Sequence, residues 1–225
     1  MAGWRGLWPT RMHSRRARLA AWVDLWVVDL GLLRAPVNRP VEIAPGIWRS
    51  NQPSPWRLRR LATAGFKTII NLRGEGKSGA FHLERYHTEQ LGMTLYSLKM
   101  SSRRLPTRAQ VQQLQQLFRE APKPMLLHCK SGADRAGLAA AICLLEQDGT
   151  VDDALRQLSF RYLHIRSAST GMMDHFVEAY GKAQSETGIG FDEWLETEYD
   201  RDALSKTFKP NRAFNWLTDK LLRRE

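Results

Sequence analysis

PMLLHCKSGADRAGLAAAICLLEQDG, residues 124 to 149, joins three kinds of sequence in one run. MLLH is an apolar stretch of strand length, KSGADR is a polar loop, and AGLAAAICLLEQ has the composition of a buried helix that stops at Gly149. A strand that passes through a tight loop straight into a helix is the building unit of an α/β fold. The same order makes a receptor for a tetrahedral oxyanion. Backbone N–H groups of residues 130 to 135 can wrap the anion while the helix N-terminus is aimed at it. Gly132 allows the tight path. Arg135 brings a planar fork that grips two phosphate oxygens, and the combined field favours the thiolate of Cys129, the form that attacks. His128 points to the other side of the strand from Cys129, so it is read as holding the loop from behind. Cys143, between Ile142 and Leu144, is read as core.

The sequence on either side supports an α/β reading. IWRSNQP reads as a strand and turn, SPWRLRRLATAG as a helix ended by Gly65, KTIINLR as a buried strand, and MTLYSLKM as another. Thr107 and Gln110 form a capping-box pattern ahead of VQQLQQLF. Strands alternating with helices predict a three-layer sandwich with a central, mostly parallel sheet. Beyond Gly149 the chain reads as helical, with Thr150 capping VDDALRQLSFRYL and further helices about residues 171 to 183, 191 to 199 and 213 to 224. The expected organisation is residues 1–40 as a basic amphipathic helix and linker, 41–183 as the catalytic domain, and 184–225 as a helical extension packed on it.

Near the start, Leu19, Trp22, Val23, Trp26, Leu30 and Leu33 recur at helical spacing. Asp24 and Asp29 interrupt the apolar run, which argues against a signal peptide, and the run is too short and too charged to span a bilayer. The helix has two uses open to it: docking on the domain, or lying on an anionic membrane surface.

The formal net charge is +11 and is unevenly spread. Residues 1 to 40 carry seven Lys and Arg against two Asp, residues 41 to 128 carry fourteen against five Glu, and residues 181 to 225 are close to neutral. Such a surface suits phosphate groups or anionic lipid. No zinc-finger spacing, RNA-recognition signature or basic zipper accompanies it, so nucleic acid is not an expected partner. Two cysteines are too few for a disulfide framework, and a working thiol needs a reducing compartment, so a cytoplasmic location is expected, with a membrane-peripheral one as the alternative.

HCKSGADRAG resembles the HCxxGxxR signature of the cysteine-dependent tyrosine and dual-specificity phosphatases. The likeness runs from about Val41 to Tyr180, and WRSNQP and IINLRGE are similar to compact bacterial and fungal atypical members. The resemblance implies two steps: Cys129 takes the phosphoryl group, and water then hydrolyses the phosphocysteine. It implies Lys130, Ser131, Gly132, Ala133 and Ala136 around the substrate phosphate, with no metal and no cofactor. Two departures follow. Many members carry Ser or Thr after the signature arginine, where its hydroxyl helps the second step; Ala136 stands here and predicts a slow second step unless Ser131 or another hydroxyl substitutes. The usual general acid, an aspartate some thirty residues before the cysteine, is missing, since no aspartate lies between Asp29 and Asp134.

Three explanations follow. Asp134 donates the proton, as in a bacterial branch resembling HCxxGKDRTG; Glu75 reaches the site from its loop; or the leaving group is good enough to need no acid. Asp134 is preferred. The expected substrate is a phosphorylated protein, with a lipid phosphate or inositol phosphate at a membrane surface as the alternative. That alternative draws on Lys130 and on Arg103, Arg104 and Arg108. A phosphate-binding pseudophosphatase is the third reading.

Overall fold

The structure is a computed structural model and describes Met12 and residues 14–28, 37–76 and 78–209. The chain divides into two compact units, Met1–Lys99 with Ala121–Gly132 and Met100–Glu120 with Ala133–Glu225.

The first unit holds the whole sheet. Its strands are β1 Val41–Ala44, β2 Ile47–Ser50, β3 Thr68–Asn71, β4 Thr94–Ser97 and β5 Met125–His128, in the spatial order β1-β2-β5-β3-β4. β1 is antiparallel to β2 and every other pairing is parallel. This is the mostly parallel α/β sheet that the alternation of elements predicts. TIIN of β3 and MLLH of β5 are buried at every position, as continuous apolar strands in a covered parallel sheet must be. β5 lies between β2 and β3, with His128 level with Ser50 on one side and Asn71 on the other. The loops that leave β2, β3 and β5 therefore gather at one sheet edge, where open α/β sheets bind ligands.

Among the described residues this unit carries α1 Arg15–Val23, α2 Pro55–Thr63 and α3 Gly79–Gln90. Ser54 caps α2, and Leu58 and Leu61 pack with Phe66, Ile69, Met93 and Leu126. α1 docks on α3 through only part of the stripe that its spacing suggests, Trp26 packing there. Leu19, Trp22 and Val23 are exposed, while Ala21 and Leu25 are buried against Ala80 and Leu83. Small residues decide this: a Cβ added to Gly79 would stand 2.8 Å from Ala21 Cα, so only glycine lets the two backbones come this close. Asp24, in the π turn Asp24–Val28, accepts the Gly79 N–H at 2.7 Å and caps α3 from outside. Leu30 and Leu33 of the expected stripe, and the helix expected at 213 to 224, lie outside the described residues. Among the described residues no helix is long and apolar enough to cross a membrane.

The second unit is helical: α4 Arg108–Glu120, α5 Asp134–Glu146, α6 Val151–Arg156, α7 Met172–Thr187, α8 Phe191–Thr197 and α9 Arg201–Thr207. The capping box forms, with Gln110 N–H on Thr107 Oγ1 at 3.2 Å and Thr107 N–H on Gln110 Oε1 at 2.8 Å. α5 is buried along almost its whole length, as its Ala and Leu content requires. Phe176, Tyr180, Phe191, Trp194 and Tyr199 stack edge to face and join α7 to α8. The helix read through VDDALRQLSFRYL stops earlier, at Arg156, and a short 3₁₀ turn Phe160–Tyr162 follows, closed by Leu163 at φ +62°. That left-handed residue costs about 1–2 kcal/mol and turns the chain so that His164 enters the interior.

Candidate active site

The boundary between the units falls inside the signature. Cys129 to Gly132 end the second segment of the sheet unit, and Ala133 to Ala136 begin the second segment of the helical one.

On the sheet side, three successive carbonyls are engaged from outside the loop. Gln52 N–H donates to Lys130 O at 3.3 Å, Asn38 Nδ2 to Ser131 O at 2.7 Å, and the Arg49 guanidinium to Gly132 O at 2.6 Å. In a trans peptide the C=O and N–H point to opposite sides, so these bonds turn the N–H groups of Ser131 and Gly132 the other way. Gly132 N–H meets Cys129 Sγ at 3.3 Å, the direction an anion-binding loop needs. Gly132 is required twice: its φ is +76°, and a Cβ there would stand 2.7 Å from Asn51 N and 2.8 Å from Ser50 O. Cys129 is buried at 1% exposure, and Lys130 and Ser131 are half-buried.

Arg49 is 1% exposed, the largest side chain buried so completely. A lone arginine in a strand reads as a surface residue, so nothing in the sequence marked it as the loop's support. Asn51 fastens the same corner, donating to Val37 O at 2.5 Å and accepting from Arg57. His128, at the end of β5, has Nδ1 3.3 Å from Cys129 O and Nε2 2.8 Å from Glu84 Oε1. The Glu84 and His128 side chains are 1% and 0% exposed, so this pair is sealed from water. Glu75 stands exposed in the loop after β3.

On the helix side, α5 begins after Ala133, which makes no side-chain cap, whereas Ser54, Ser78 and Thr150 all cap their helices. Asp134, Arg135 and Ala136 form its first turn, all buried. Asp134 is 3% exposed, and its Oδ1 lies 2.8 Å from His164 Nδ1. The other ring nitrogen of His164, Nε2, lies 2.6 Å from Asp174 Oδ2 in the first turn of α7. Burial by itself would lower the His164 pKa, but the hydrogen bonds and charges of Asp134 and Asp174 outweigh it and raise the value above 6.5. Sequence reading missed His164 and Asp174. They stand thirty and forty residues from Asp134, His164 between two expected helices and Asp174 inside the second, and only the fold brings them together. Arg108, expected among the charges around the pocket, donates to Tyr199 O at 3.4 Å and lies 3.8 Å from Glu196.

Comparison with known proteins agrees with this architecture. No curated relative matches the chain in sequence. Among solved structures, TpbA of P. aeruginosa is 22% identical, with a TM-score of 0.52 over 67% of this chain and 92% of its own. The catalytic core of Siw14, a PP-IP phosphatase of S. cerevisiae, is 18% identical, with a TM-score of 0.52 over 72% and 96%. At these identities the likeness establishes the fold, a five-stranded, mostly parallel sheet flanked by helices. A family model described as "DSP-PTPase phosphatase fused to NAD+ Kinase" matches residues 37–171, more than half of the chain. The chain therefore belongs to that phosphatase family and is a cysteine-based phosphatase, a hydrolase of phosphoric monoesters.

Proposed function

We propose that the chain removes phosphate from phosphorylated protein, phosphotyrosine foremost, through a phosphocysteine at Cys129. The observation that carries this is the outward engagement of the Lys130, Ser131 and Gly132 carbonyls, which leaves N–H groups for an anion beside the sulfur. α5 begins in the same stretch of chain, and its dipole favours an anion at that end. Cys129 attacks phosphorus in line, Arg135 grips two equatorial oxygens, and Lys130 to Ala133 with Ala136 surround the phosphate. Asp134 passes a proton to the leaving oxygen. His128 with Glu84 holds the strand end behind the nucleophile. No metal or cofactor enters these steps.

The protein substrate is favoured by the likeness to TpbA, a Cys-to-Ser variant of which is solved with pTyr at a TM-score of 0.50. A second reading, an inositol phosphate or lipid phosphate, is favoured by the equal likeness to the PP-IP phosphatase Siw14 and by half-buried Lys130 next to the nucleophile.

The deciding experiment measures phosphate release from phosphotyrosine and phosphoserine peptides, inositol phosphates and phosphoinositide vesicles, with Cys129→Ser as control. Release from phosphotyrosine peptide that Cys129→Ser abolishes is the expected result. Release from the inositol or lipid arm alone overturns the protein substrate, and no release from any arm identifies a pseudophosphatase. Ala136 further predicts a burst of product equal to enzyme, followed by a slower steady rate.

A further inference from the structure

Asp134 cannot give the leaving oxygen a proton unless something supplies one, and the buried trio in the helical unit identifies a source. His164 is 2% exposed and lies between two carboxylates, each in the first turn of a helix, where the helix dipole favours negative charge. Both ring nitrogens are at hydrogen-bond distance from a carboxylate oxygen, 2.8 Å to Asp134 and 2.6 Å to Asp174. A neutral imidazole has a single N–H and can donate only one of these bonds. An imidazolium donates both. Among the described residues, Asp134 from α5 and Asp174 from α7 are the groups whose charge acts on the ring.

We propose that His164 is a positioning residue that stores the leaving-group proton and delivers it through Asp134, while Asp174 keeps the ring oriented and charged. This rests on the phosphocysteine reading above, with Asp134 as the group that meets the leaving oxygen. In the first step the Cys129 thiolate forms the S–P bond as the P–O bond to the leaving group breaks. The leaving oxygen takes a proton from Asp134, which takes the Nδ1 proton of His164, so the imidazolium becomes neutral and the carboxylate charge is unchanged. In the second step water forms a P–O bond, the S–P bond breaks to return the thiolate, and a water proton passes through Asp134 back to His164. One proton leaves the store and one returns in each turnover.

The arrangement makes kcat/KM, which reports the first step, sensitive to both pH and leaving group. For the wild-type chain, kcat/KM toward phenyl phosphate is expected to fall on the alkaline side with the midpoint of His164, read separately by NMR titration of its ring. Toward 4-nitrophenyl phosphate, whose leaving oxygen needs little protonation, the fall is expected to be shallow. His164→Asn is expected to cut kcat/KM toward phenyl phosphate by about 100-fold, spare the nitrophenyl ester, and remove the alkaline limb. Asp174→Asn keeps a hydrogen bond to the ring but withdraws the charge, and is expected to move the limb to lower pH; it decides the matter should His164→Asn not fold. A ring midpoint that fails to coincide with the activity limb in the wild-type chain overturns the proposal without any variant. An unmoved limb in Asp174→Asn, or an unchanged ratio between the two esters in folded His164→Asn, does so too. Activity surviving Cys129→Ser would instead overturn the phosphocysteine reading.

Discussion

The two ends of the signature are held by different physics. From Cys129 to Gly132 the loop is fixed by backbone carbonyls bound to a backbone N–H, an amide and a guanidinium, none of which changes charge between pH 5 and 9. From Asp134 onward the chain is held by an acid–imidazole–acid trio, whose two carboxylates hold the His164 pKa above its ordinary value. The end proposed to present a fixed array of donors is pH-indifferent, and the end proposed to move a proton is not.

The largest effect is expected where the sheet side is broken outright. Gly132→Ala puts a Cβ against the backbone of Ser50 and Asn51 in a left-handed conformation, and is expected to cost about 3 kcal/mol or more, with loss of phosphatase activity. Urea unfolding and phosphate release measure both; a cost below about 1 kcal/mol would show that the loop is not rigidly seated. Arg49→Met removes the charged donor from Gly132 O and leaves that buried carbonyl without it, an expected loss of about 2 kcal/mol that does not vary between pH 6 and 9.

The helix side gives the smallest effect and the opposite pH behaviour. Because the folded-state pKa of His164 is raised above 6.5, its contribution to stability is fully present below that pH and is lost as pH rises through the folded value. The stability gap between wild type and His164→Asn is therefore expected to shrink from pH 6 toward pH 9. A gap that widens with pH would reverse the assignment of charge in the trio.

The difference between the two ends also explains what could be read in advance. The loop and its flanking strand and helix are written locally: an apolar run, one obligatory glycine, an arginine at fixed spacing. Those local signals sufficed for the α/β class and for the strand, loop and helix in succession from β5 to α5. The supports are non-local. Arg49 lies in a strand whose sequence is no different from an exposed one, and its burial follows only from where β2 sits in the sheet. His164 reaches Asp134 because Leu163 adopts a left-handed turn that its side chain does not advertise. For α1, spacing identified an apolar stripe, but the closest approach is made by small residues, Ala21 facing Gly79, with Trp26 packed beside them and Leu19, Trp22 and Val23 left exposed.

With the carbonyls of Lys130, Ser131 and Gly132 already fastened, the loop has no peptide flip left to make when its anion departs. Free phosphate then meets the same donors as an esterified one, with no reorganisation cost to weaken it. Product is expected to compete with substrate at the loop, so ambient phosphate acts as a standing brake on the enzyme and as a ligand that stabilises its fold.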